Sequence, residues 1–281
     1  MQQTLTRQRI SLSVLGGLVA LGGGLHLFHL VTAGAKPDLL ASSVIFALMC
    51  LGHATYLLGW KRAITFFTLT AVMSYCFESL SIATCSATCY TYTNALGPML
   101  GPVPAAIPIS WFMMLYPSTV IANLIGEGKA ISTKGKGVWM VFLAVLTSLV
   151  MTAWDLTLDP YMVYKVKAWV WTDPLPYNYL GIPFANYVGW VEVVFIISLV
   201  YRLAEREIPA EPLGPPTQLM VALPLISYAI IGLPDVLIGV PDATRILSPY
   251  AMGIPLLAAI SRYIQMPRDH TPAPVTVGGA S

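Results

Sequence analysis

The sequence predicts an all-α fold, a polytopic bundle of about eight transmembrane helices with both termini in the cytoplasm. Three observations predict it. First, 56% of the 281 residues are hydrophobic and 10% are charged, with a mean hydropathy of +0.71; soluble domains carry roughly 25% charged residues. Second, apolar stretches close to the ~20 residues that a spanning helix needs recur along the chain. Third, lysine and arginine alternate in density from one connection to the next, as topology in a membrane requires.

The spans run over roughly 10–33, 39–60, 63–84, 103–125, 138–158, 184–203, 217–239 and 246–264. Arg7 and Arg9 precede the first. Lys61 and Arg62 lie between the second and third, and Lys129, Lys134 and Lys136 between the fourth and fifth. Arg202 and Arg206 follow the sixth, and Arg262 and Arg268 the last. These eleven cations fall on one side. Only Lys36, Lys165, Lys167 and Arg245 fall on the other, which makes the first side cytoplasmic. No small-residue cleavage pattern follows His26 and His29, so the first span reads as a retained helix. Residues 1–266 read as one transmembrane domain with its site in the outer half of the bilayer. Residues 267–281, rich in Pro, Gly, Thr and Ala, read as a disordered tail. No internal repeat is visible.

Individual residue types narrow the function. A net charge of +2 is too small and too dispersed for nucleic acid. Cys50, Cys76, Cys85 and Cys89 form no CxxC pair; Cys50 and Cys76 read as packing residues. Cys85 and Cys89, four apart, pair only if their segment is not a regular helix, and they are expected to stay unpaired. His26, His29 and His53 are too few for a membrane di-iron site, so no metal is expected. Mg²⁺-diphosphate, nucleotide and GxSxG motifs are absent, so no cofactor is expected. Pro98, Pro102, Pro104, Pro108 and Pro117 crowd the fourth span. Such a helix is either interrupted and cavity-lining or simply kinked.

Acids carry the chemistry. MTAWDLTLDP places Asp155 and Asp159 one turn apart on one helical face, with Pro160 expected to stop the helix. Glu78 lies toward the outer end of the third span, Asp235 toward that of the seventh, and Glu192 nearer the middle of the sixth. Intramembrane carboxyl groups face a protein interior or water. One that is taken out of water without a cationic partner keeps its proton and becomes a general acid. The plainer alternative is a helix end whose acids bind water, loop amides or Lys165; Asp235 and Glu192 suit that reading best. The outward loop after the fifth span carries Tyr161, Tyr164, Trp169, Trp171, Tyr177 and Tyr179. This suits a segment lying in the membrane interface, or a pocket whose aromatic faces meet a long apolar ligand or a carbocation.

ESLSIATCSATCYTYTNALGPMLGPVPAAIPISWFMMLYPS, TAWDLTLDPYMV, WVW and YLGIPFANYVGW together resemble the carotenoid biosynthesis membrane proteins, which include the carotenoid 1',2'-hydratases and the bisanhydrobacterioruberin hydratases. The resemblance covers roughly Tyr75 to Trp190. It implies a cofactor-free addition of water to the terminal double bond of an acyclic isoprenoid. Glu78 or Asp155 would donate the proton, and Asp159 would orient its neighbour or accept a proton from water. Tyr90, Tyr92, Trp111, Trp169, Trp171, Asn186 and Trp190 would line the substrate pocket. The implied partners are a lipophilic isoprenoid, membrane lipids and other isoprenoid-pathway enzymes, in the cell membrane. SIATCSATCYTY departs from the family pattern, which has glycines and a Pro-Phe pair there. Since that segment adjoins the presumed site, a proton-initiated terpene cyclase, in which an internal double bond captures the cation, is the first alternative. A proton-coupled lipid transporter is the second.

Overall fold

The computed structural model describes residues 2–31, 39–85, 89–133, 136–172 and 177–266; the expected tail lies outside them. Among these residues eight helical spans are long and apolar enough to cross a bilayer. They are α1 (Gln2–Val31), α2 (Leu39–Leu58), α3 (Trp60–Thr84), α4 (Ala106–Glu127), α5 (Gly137–Tyr161), α6 (Phe184–Glu207), α7 (Gln218–Ile238) and a split eighth span. That last span is two helices, α8 (Ala243–Ala251) and α9 (Gly253–Ile264), which meet at Met252. Pro255 sits in the first turn of α9, where its missing N–H costs nothing. Among the described residues six short strands pair as three antiparallel ribbons: β1 (Tyr90–Tyr92) with β4 (Trp169–Trp171), β2 (Met99–Leu100) with β3 (Val103–Pro104), and β5 (Asn178–Tyr179) with β6 (Ile182–Pro183).

The fourth helix is the axis of the bundle. It packs against α2, α3, α5, α7 and α9, and most of its residues are buried, whereas few of those of α3 are. A helix apolar all round belongs in such a place. Contrary to one of the two expectations, it is not interrupted. Pro98, Pro102 and Pro104 precede it in the β2–β3 ribbon, and Pro108 sits in its first turn, where no N–H is needed. Only Pro117 lies deep inside. It removes the donor to the Met113 carbonyl, and the Cys50 thiol of α2 donates to that oxygen instead, at 3.5 Å. One turn further along α2, His53 Nε2 meets the Met220 carbonyl at 2.8 Å, which Pro224 of α7 leaves without its helical donor. The other ring nitrogen, Nδ1, then accepts from the Tyr116 hydroxyl at 2.6 Å. His53 is thereby a buried clasp between three helices, with both nitrogens engaged.

Two further expectations are corrected. Pro160 does not stop the fifth helix. The chain continues helical to Tyr161 and then widens into a π turn, Met162–Val166, before Lys167 turns left-handed. A π turn accommodates backbone groups that a proline displaces from the i to i−4 ladder. Cys85 and Cys89 are joined as a disulfide, with Cα atoms 4.6 Å apart. Helix α3 ends at Thr84 and Cys85 adopts the left-handed conformation, so the helical spacing that would separate the two thiols no longer applies. Arg202, read from sequence as a loop residue, lies within α6. It is buried there, donating to Asn123 Oδ1 at 3.0 Å.

Replacing His53 by Leu strands both the Met220 carbonyl and the Tyr116 hydroxyl. The expected loss is about 2–4 kcal/mol of stability, read as a lower unfolding temperature in detergent. An unchanged unfolding temperature would show that the clasp contributes nothing.

Candidate active site

Strand β1 and its partner β4 form a ribbon over one end of the bundle. Tyr90 pairs with Trp171, Thr91 with Val170 and Tyr92 with Trp169. Alternation along a strand sends the four aromatic rings inward and leaves Thr91 and Val170 exposed. The loop after the fifth span thus contributes a strand that pairs across to the loop after the third. The disulfide fastens this ribbon at one end, since Cys85 caps α3 and Cys89 immediately precedes Tyr90. At the other end Thr93 donates to the Lys167 carbonyl at 2.6 Å, and its amide donates to Ala168 at 2.9 Å.

Beneath the ribbon lies a cavity of about 540 Å³, within the usual size of ligand pockets. Glu78, Asp159, Trp154, Tyr161 and Asp235 border it, as do all seven residues expected to bind substrate. Glu78 is half-buried and its Oε2 accepts two hydrogen bonds, one from the Tyr90 hydroxyl and one from the Tyr92 hydroxyl at 2.9 Å. The Trp111 side chain is a further partner. Burial and the neighbouring Glu78 carboxyl push both ribbon phenols above their ordinary value, which keeps them as donors.

Asp155 and Asp159 of α5 are almost wholly buried, at 1% exposure each. They lie near one another and within electrostatic reach of Glu78. Asn186, on the first turn of α6, donates to Asp159 Oδ2 at 2.5 Å, and Trp169 of the ribbon is another partner of the same carboxyl. Asp159 borders the cavity, whereas Asp155, one turn back, does not. The salt bridges formed among the described residues, Lys61–Glu211 and Arg245–Asp242, do not involve these acids. Lys165, the cation proposed for the plainer reading, is exposed at the cavity rim.

Aromatic rings wall the rest. Trp111 and Trp190 stack with centroids 4.4 Å apart and planes 9° from parallel, and Trp154 meets Trp190 edge-on. Tyr90 tilts against Trp171 at 5.0 Å, and Tyr92 meets Trp169 edge-on at 5.8 Å. Several buried polar atoms near the acids have no hydrogen-bond partner in the protein: the acceptors Asp155 Oδ2 and Asp159 Oδ1, the donor Trp171 Nε1, and Tyr187 Oη. Such atoms mark a place for a small polar molecule or for ligand groups.

The four acid-bearing spans therefore do not all converge. Glu192 is exposed on the outside of α6. Asp235 borders the same cavity from α7 but is held by Thr157 Oγ1 at 3.0 Å. Tyr187 was not foreseen, although it neighbours Asn186 in the ANYVGW run; it lies within electrostatic reach of Asp155 and Asp159.

A family model described as carotenoid biosynthesis protein matches residues 39–259. No curated protein and no solved structure matches the chain.

Two outcomes are expected. A PEG-maleimide should label neither Cys85 nor Cys89 in the unfolded, non-reduced protein, and should label both after reduction. Labelling before reduction would refute the clasp. Asp155→Asn, which replaces a buried acid lacking a donor at Oδ2, should leave the unfolding temperature unchanged or higher. A fall equivalent to more than about 2 kcal/mol would make Asp155 a structural acid.

Proposed function

We propose, from the premise that the chain belongs to the carotenoid biosynthesis protein family, that it is a cofactor-independent hydratase acting on the terminal double bond of an acyclic isoprenoid. The observation that carries this reading is the pairing of Glu78 with Asp159 at the wall of one aromatic cavity, with neither in a salt bridge among the described residues. The family supports a role in carotenoid metabolism, and eight apolar helices make the chain a multi-pass membrane protein.

The end of the isoprenoid enters the cavity with its double bond against Glu78. The carboxylic acid gives its proton to the less substituted alkene carbon; a C–H bond forms, the π bond breaks, and a tertiary carbocation remains. The faces of Trp111 and Trp190 and the Glu78 carboxylate stabilise that cation. Water adds to it, and the resulting oxonium loses its proton to Asp159. Tyr92 donates to Glu78 and lies within electrostatic reach of Asp159; the proton returns from Asp159 to Glu78 by way of Tyr92 and water, which restores both acids. Tyr90 and Asn186 orient one carboxyl each. Asp155 acts through Asp159 and is a positioning residue.

Hydration is favoured over cyclisation by the polar atoms left without protein partners around the acids. A cyclase pocket excludes water from its cation, whereas here several groups remain that can hold one. The ribbon face is taken to be the non-cytoplasmic side of the cell membrane. The eleven-to-four division of cations supports this, as does a disulfide at that end.

The test is product analysis in cells that make an acyclic carotene. The expected product gains the mass of one water and takes oxygen-18 from labelled water. An isomer of unchanged mass would mean cyclisation. Glu78→Gln and Asp159→Asn should each lower turnover by about 10²–10⁴-fold while the protein still inserts; normal turnover in either would overturn the assignment.

A further inference from the structure

The cavity has a second polar wall that the reaction above does not use. Its acid end is built by α3, the ribbon, α5 and α6. At the other end α7 contributes Ile231, Pro234, Asp235 and Ile238, and Arg245 of α8 stands at the rim. The lining also includes the apolar Leu96, Met113, Leu158 and Met162 and the hydroxyl groups of Ser43 and Ser110. A cavity made only for hydrocarbon would have no reason to keep a carboxyl group in that wall, because a buried acid that is incompletely bonded costs free energy.

Asp235 is such a group. It is 1% exposed. Thr157 Oγ1 donates to its Oδ2 at 3.0 Å, and its Oδ1 receives no hydrogen bond from the protein. The charged neighbours do not complete it. Arg245 directs Nη2 to Asp242 at 3.4 Å and Nε to the Gly239 carbonyl at 3.1 Å. Thr157 belongs to the same helix as Asp155 and Asp159, so α5 serves both ends of the cavity: its acids face the ribbon side and Thr157 steadies the acid of α7. That arrangement fixes the carboxyl group at the cavity wall and leaves its Oδ1 without a partner in the protein.

We infer that Asp235, steadied by Thr157, is a second subsite that binds an aliphatic hydroxyl group of the ligand. The ligand class is thereby an acyclic isoprenoid alcohol, with its terminal double bond at Glu78 and an O–H further along the chain at Asp235. This rests on the isoprenoid reading of the cavity and adds the polar group that the substrate carries. Asp235 orients the ligand and takes no part in proton transfer to the alkene.

The experiment is a binding comparison in detergent micelles, read by fluorescence of the cavity tryptophans. The probes are β-farnesene, nerolidol and the methyl ether of nerolidol: a hydrocarbon, a tertiary alcohol of the same chain length, and that alcohol without its O–H. The wild-type protein should bind nerolidol about tenfold more tightly than either of the others, as one hydrogen bond into a buried acceptor allows. Asp235→Leu should bind all three alike, and Glu78→Gln should keep the preference. Equal binding of the three by the wild type would overturn the subsite and leave the hydratase reading standing, with water as the partner of Asp235. A preference that survives Asp235→Leu would also overturn it. Binding of none would remove the isoprenoid cavity itself and the subsite with it. Because the three wild-type measurements decide by themselves, a variant that fails to insert does not spare the proposal.

Discussion

Below the surface of a bilayer no water is available to complete a hydrogen bond, so every polar group must find a partner inside the protein. The architecture follows from that constraint. Prolines in α4 and α7 break the internal ladder at Met113 and Met220, and α2 supplies Cys50 and His53 at matching heights to close both gaps. Three helices are thereby keyed to one register. Lipid offers no hydrophobic drive for helix association, so such side-chain to backbone bonds and close packing around α4 determine which helices meet and at what depth.

The candidate site is one place where the same constraint is left incompletely met. Asp155, Asp159 and Asp235 each keep an oxygen that the protein does not bond. Buried groups left this way are expected where chemistry or ligand recognition needs them. Glu78 shows the complementary treatment. Its Oε2 is held by two phenols and its carboxyl is kept at the cavity wall, half-open. Restraint on one oxygen and access to the group are what a proton donor requires.

The ribbon links these demands to the loops. Its strands come from connections that are far apart in sequence, and its inward rings supply both the donors to Glu78 and part of the aromatic wall. The disulfide shortens the path from the end of α3 to Tyr90, so the acid and its tyrosine donors are set by one short covalent segment. Precision at the site therefore comes from a strand pair anchored at both ends, carried on the rigid end of a helical bundle.

Much of this was legible in the chain itself. Hydropathy and cation spacing determined eight spans, because a bilayer imposes a length and a charge asymmetry that act on each segment locally. The i to i+4 spacing of Asp155 and Asp159 placed both on one face for the same local reason. What only the tertiary structure decided were contacts between distant segments. The Tyr90–Trp171 and Tyr92–Trp169 pairing has no local signal, since strands of three residues leave no periodicity to read. The Cys85–Cys89 bond depended on where α3 ends, and the unbroken course of α4 on Cys50 of another helix replacing a lost donor. The separation of Glu192 from the cavity and the entry of Asp235 into it depended on helix rotation, which packing sets and hydropathy does not record.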